Sequence, residues 1–101
     1  MAKASMVAKN AARMSKVKKY ASKRQKLKSA IMDKSLSMEE RFALQLRLNS
    51  LPWDSAKGRI RNRCEITGRP RGFYRAFGLC RNKIRELSYE GLIAGVMKSS
   101  W

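Results

Sequence analysis

The sequence predicts a mainly α chain: two N-terminal helices forming an extended arm, then an irregular, degenerate zinc-ribbon-like module with one short C-terminal helix and little or no sheet. Three observations carry that expectation. No Gly or Pro occurs before Pro52 and Gly58, and the preceding stretch is rich in the good helix formers Ala, Lys and Met. Ser37 and Glu40 make the Ser-x-x-Glu pattern of a capping box, which starts a helix. Further along, Cys64 and Cys80 each open what would be a C-x-x-C pair, but Thr67 and Lys83 stand at the fourth positions.

Charge bounds the function. Lys and Arg number 24 against 7 Asp and Glu, a net charge of +17 in 101 residues. Self-repulsion of that size opposes compaction and is relieved by an anion-rich partner, nucleic acid first and an anionic membrane surface second. No apolar run approaches the roughly 18 residues that cross a bilayer. The chain has no histidine, and Glu39 and Glu40 are adjacent, so they point apart on a helix. Neither a metal centre nor paired-carboxylate catalysis finds its residues here, and no small-molecule substrate or cofactor is expected. Two cysteines without a secretory signal favour free thiols in a reducing compartment.

Residues 1–32 carry eight Lys, two Arg and no acid. A helix is expected over about 4–32, with Met14, Val17, Ala21, Lys28 and Ile31 tracking a narrow seam. So thin a seam does not hold a helix on a protein core. The expectation is an arm laid along phosphates, with Lys16, Lys19 and Arg24 among its contacts. An organellar import signal is also basic, but it favours Arg over Lys. A second helix is expected over 37–50, with Glu39 and Glu40 beside its positive end. Phe42, Ala43, Leu46 and Asn49 share one face, flanked by Leu44, Leu48 and Leu51. Residues 33–54 hold three bases against four acids, so this near-neutral helix is the piece suited to packing on protein. The two helices are compatible with a hairpin. The domain expectation is a helical arm over 1–50, an extended basic linker over 51–63 and an RNA-binding module with its tail over 64–101.

Pro52 ends the second helix. Beyond it Lys57, Arg59, Arg61 and Arg63 occupy alternate positions, which in extended backbone sets four cations on one side at roughly 7 Å pitch, a row able to follow phosphates. Gly68, Pro70 and Gly72 are turn residues. Phe73, Tyr74 and Phe77 are interleaved with Arg, as suits unpaired RNA, whose bases stack on rings and guanidinium planes. In a module this small Phe73 and Phe77 are also expected to be core, with Tyr74 the freer ring. A short helix is expected from Leu79 or Cys80 to Glu90, with Cys80, Ile84 and Leu87 inward and Gly91 as its left-handed stop. Leu92, Ile93, Val96 and Trp101 make the tail too apolar to stay in water. Zinc requires four N or S ligands; Thr67 is a poor one and the Lys83 ammonium repels the ion. Taken alone, Cys64 and Cys80 are small buried hydrophobes. A nucleophilic role for Cys64 lacks a base or an oxyanion partner.

The run R-N-R-C-x-x-T-G-R-P-R-G-F, then F-G-L-x-R, R-E-L and a closing K-S-S-W, resembles the S-fourteen family of small-subunit ribosomal proteins in its longer, zinc-free form. M-A-K-x-S-M at the start and K-Y-x-x-K-R around Tyr20 and Arg24 extend the resemblance over essentially the whole chain. It implies a structural protein without enzyme activity. Its partners would be the small-subunit ribosomal RNA, in the 3′ major domain near the decoding region, and neighbouring proteins of the subunit head. It also implies that Cys64 and Cys80 are remnants of a lost zinc site. The family's RNA-contacting arginines map onto Arg59, Arg61, Arg63, Arg69, Arg71, Arg75, Arg81 and Arg85. Lys57, Tyr74, Lys83, Lys16, Lys19, Arg24 and Trp101 complete the expected RNA-binding set. Trp53, Ala56, Ala94 and Met97 depart from the family's usual residues. A bacterial cytoplasm and a mitochondrial matrix both suit such a ribosome. The rivals are a degenerate zinc-ribbon DNA-binding module, which would need a groove-reading helix, and a cationic membrane-binding helix, which would need a wide apolar face. With so little core, the free protein is expected to be only partly folded and to order on RNA.

Overall fold

The computed structural model describes residues 2–99. They gather into two compact units, Lys9–Ile60 in one, and the residues up to Ala8 with those from Arg61 onward in the other.

Helix α1 spans Ala4–Met32 and α2 spans Met38–Asn49. The propensity of Ala, Lys and Met drives α1, yet its first turn holds no acid and its last turn no base. Like charges four apart, as at Lys19 and Lys23 or Arg24 and Lys28, subtract a few tenths of a kcal/mol each, about 0.2–0.5. The less exposed residues of α1 are Asn10, Arg13, Val17, Tyr20, Arg24, Leu27, Ala30 and Ile31. Of the expected seam, Val17 and Ile31 belong to this stripe, whereas Met14, Ala21 and Lys28 are exposed. The stripe turns because Arg13 and Arg24 are drawn inward by acceptors at residues 52–55.

Between the helices, Asp33 accepts from the Ser35 N–H at 3.0 Å and its hydroxyl at 2.8 Å. This side-chain turn stops α1. The capping box forms: the Glu40 N–H donates to Ser37 Oγ at 3.3 Å, and the Ser37 N–H donates to the Glu40 carboxylate at 3.4 Å. Arg41 Nε donates to the free Ile31 carbonyl at the end of α1, at 3.0 Å. A closely packed hairpin of α1 with α2 is not formed. Instead α1 binds the segment after α2. Leu44 and Leu48 are half-buried, while Phe42 and Leu46 remain 66% and 54% exposed.

Residues 53–55 and 57–59 form two successive 3-10 turns. The expectation of extended backbone therefore fails at Lys57 and Arg59. A lone extended segment has no neighbouring strand for its N–H groups. The turns satisfy them locally, with Ala56 N–H on the Trp53 carbonyl at 3.1 Å and Ile60 N–H on the Lys57 carbonyl at 3.3 Å.

In the other unit, β1 (Phe73–Tyr74) pairs antiparallel with β2 (Leu79–Cys80), Phe73 opposite Cys80 and Tyr74 opposite Leu79. Helix α3 (Arg81–Tyr89) follows at once, and Gly91 terminates it at φ +73°. The turn after Cys64 is closed by the Gly68 N–H on the Cys64 carbonyl at 2.8 Å. Gly68, at φ +73°, lets the N-terminal segment approach: a Cβ there would lie 2.8 Å from the Val7 side chain. Among the described residues the buried hydrophobic ones are Leu51, Cys64 and Cys80, at 7%, 3% and 1% exposure. The chain is mainly α with one minimal sheet, as its sequence predicts.

Candidate nucleic-acid interface

The site is built on the turns around the two thiols. Cys64 and Cys80 are free and buried, and Thr67 Oγ1 lies 3.8 Å from Cys80 Sγ. Burial pushes the Cys64 thiol up, but hydrogen bonds from the Thr67 hydroxyl and from the backbone of Thr67, Cys80 and Ile66 outweigh it and bring it down to about 6. The Lys83 ammonium, at the place of a fourth ligand, donates to Glu86 at 2.6 Å. That hydrogen bond, then the Glu86 charge, raises its pKa. Two thiols, a hydroxyl and a protonated amine do not fit a zinc ion. Among the described residues no three His, Cys, Asp or Glu side chains converge as a metal site.

The expectation of a core built on Phe73 and Phe77 is corrected at Phe77. Phe73 is half-buried, but Phe77 is 41% exposed and Tyr74 54% exposed. Alternation along β1 turns Phe73 in and Tyr74 out, and Phe77 sits in the turn between two strands of two residues each. So small a ribbon does not enclose Phe77 as well as Phe73. The two thiols occupy its interior.

The expected cations divide by what they already hold. Arg24 is committed within its own unit: its Nε donates to the buried Ser55 hydroxyl at 2.8 Å and its Nη2 to the Pro52 carbonyl at 3.2 Å. Asp54 gathers Arg13 at 3.3 Å, Arg59 at 3.8 Å and Lys16 at 3.9 Å. Arg59 also lies over the Trp53 ring, 5.6 Å from its centroid. Lys19 lies over Tyr20 at 5.7 Å. Arg61 donates to the Pro70 carbonyl at 3.2 Å, and Arg63 to the Gly68 carbonyl at 3.0 Å, fastening the segment to the turns beneath. Arg85 donates to the Tyr89 hydroxyl at 3.3 Å.

The remaining cations point a different way. Among the described residues, the side chains of Lys57, Arg69, Arg71, Arg75 and Arg81 enter no hydrogen bond or ion pair. Arg69, Arg71, Arg75 and Arg81 all come from the module around β1 and β2, so the folding of residues 64–81 gathers unneutralised guanidinium groups on one small unit. Trp101 lies outside the described residues.

The comparisons with known proteins decide the family. The profile described as ribosomal protein S14p/S29e matches residues 47–100. The chain is 59% identical to the small ribosomal subunit protein uS14 of Orientia tsutsugamushi (strain Ikeda) over 101 residues, covering all of both chains. It is 55% identical over the same full length to the proteins of that name from Rickettsia typhi (strain Wilmington) and Rickettsia prowazekii (strain Madrid E). The chain belongs to the ribosomal protein S14 family. This is a family of ribosomal proteins and not of enzymes.

Reasoning from sequence passed over three features of this family member. Asp54 is the acid that collects Arg13, Lys16 and Arg59. Tyr89 stands beside Arg85, and the i, i+4 spacing on α3 was the available signal. Lys98 approaches the same ring at 6.0 Å, and nothing local announces that contact.

Proposed function

We propose that the chain is a structural constituent of the small ribosomal subunit that binds ribosomal RNA. Its finer place is the subunit head, on the 3′ major domain of the RNA beside neighbouring head proteins, in the cytoplasm of a bacterium. The observation that carries the reading is the full-length identity to small ribosomal subunit proteins. The uncommitted cations of the 64–81 module agree with it, since phosphate is the abundant partner that neutralises such a set without further protein acids. The relatives from Orientia and Rickettsia support the bacterial location.

Lys57, Arg69, Arg71, Arg75 and Arg81 are the primary RNA contacts in this reading. Arg59, Arg61, Arg63, Arg85, Lys83, Lys16 and Lys19 position the backbone and offer their remaining donors to phosphate, and Tyr74 stacks. Arg24 works mainly inside the protein. The exposed Phe42 and Leu46 on near-neutral α2 support a protein neighbour there.

The DNA-binding and membrane-binding alternatives have no comparable support. No helix among the described residues is long and apolar enough to cross a membrane. The deciding experiment follows the tagged chain through a high-salt wash of ribosomal subunits. Co-sedimentation with the small subunit is expected; recovery in the free fraction or with the large subunit overturns the proposal.

A further inference from the structure

A groove of about 600 Å³ opens beside α3 in the C-terminal unit. That volume lies within the roughly 300–1,000 Å³ typical of small-ligand sites. Three rings line it, Tyr74, Phe77 and Tyr89, and three cations, Arg81, Arg85 and Lys98. The rings are not spent on the core: Tyr89 is 64% exposed, more than either Tyr74 or Phe77. Among the described residues no Asp or Glu lines the groove.

We infer that this groove receives an unpaired RNA nucleotide, its base stacked among the three rings and its phosphates met by Arg81, Arg85 and Lys98. This deepens the ribosomal RNA-binding reading and rests on it.

The chemistry favours this occupant over others. Phosphate alone would need the cations and leave the rings in water. An apolar protein segment would need the rings and leave three cations without counter-charge. A nucleotide with a free base face satisfies both sets, whereas a duplex hides its base faces. Tyr89 is prepared for this. Arg85 Cζ and Lys98 Nζ lie 5.7 and 6.0 Å from its ring centroid, and the Arg85 hydrogen bond to its hydroxyl fixes the ring. That hydrogen bond, then the charges of Arg85 and Lys98, also lowers the Tyr89 pKa.

The test uses the full chain with a short single-stranded RNA carrying 2-aminopurine at a central position, against a blunt RNA duplex of the same length. The single strand is expected to bind more tightly than the duplex, with its fluorescence quenched on stacking. Tyr89→Leu combined with Tyr74→Leu should weaken single-strand binding about tenfold and abolish the quench. The salt dependence should be retained. Both rings are exposed, so the changes spare the interior, and Tyr89→Phe should restore binding and quench. Equal binding of strand and duplex, with the variants unchanged, overturns the groove assignment and leaves RNA binding by the module intact. If neither RNA binds at low salt, both readings are overturned. In assembled small subunits, benzoylphenylalanine placed at position 89 should crosslink to RNA; a crosslink to protein instead overturns the assignment.

Discussion

Replacing Arg24 with lysine keeps the charge and removes the fork, which separates an internal role from a phosphate contact. The guanidinium bridges two acceptors, Ser55 Oγ at 2.8 Å and the Pro52 carbonyl at 3.2 Å, and Ser55 is 1% exposed. An ammonium reaches one of them at most. Loss of one hydrogen bond from a charged donor costs about 2 kcal/mol, or about 30-fold in the equilibrium that opens residues 52–60 from α1. Amide hydrogen exchange of Arg24→Lys reads this directly. The amides of Ser55, Ala56, Arg59 and Ile60, which close the two 3-10 turns, should exchange at least tenfold faster, about 30-fold if opening limits exchange. Those inside α2 should not change. The salt dependence of RNA binding should also stay as it was. Unchanged exchange at 55–60, or a flattened salt dependence, would refute the view that Arg24 serves as an internal clamp.

Three further outcomes follow from the geometry. Arg75→Gln should reduce the slope of log K against log salt by about 0.7–0.9 without loss of stability. Arg63→Gln should reduce both, because it also removes the bond to the Gly68 carbonyl; equal stability of the two variants by thermal melting would count against this division. Cys64 has a thiol pKa depressed from 9.0 to about 6, so its contribution to stability is complete above pH 9 and is lost as pH falls through 6. The melting midpoint should therefore fall between pH 9 and pH 6, less so in Thr67→Val, and a flat or rising profile would contradict the hydrogen bonds assigned to this sulfur. Finally, because the buried hydrophobic residues among those described are Leu51 in one unit and Cys64 and Cys80 in the other, the free chain should show a broad, weakly cooperative melt in low salt that sharpens on adding small-subunit RNA; a sharp, high-temperature transition without RNA would show that the core suffices.

Much of this protein was readable along the chain. Helix α1 needed only residue propensity and the absence of Gly and Pro before residue 52, and the start of α2 needed only Ser37 and Glu40 in register. These are local properties, set by a residue and its near neighbours.

The misreadings share one cause. Lys57 and Arg59 alternate with Arg61 and Arg63 as a strand would, but a strand requires a partner, and among the described residues none pairs there. Phe77 is aromatic enough for a core, yet the ribbon is too small to cover it. Arg24, expected among the arm's contacts, also holds a partner that local sequence does not announce, the hydroxyl of Ser55, 31 residues away.

Sequence by itself therefore determined the helices, the excess of positive charge and the poverty of metal ligands, because each depends on chemistry carried by single residues or short spacings. Only the tertiary structure decided which cations are consumed internally and which stay open, because their partners come from afar. Arg13 meets Asp54 across 41 positions, and Tyr74, Tyr89 and Lys98 line one groove only after β1, α3 and the tail have folded around it.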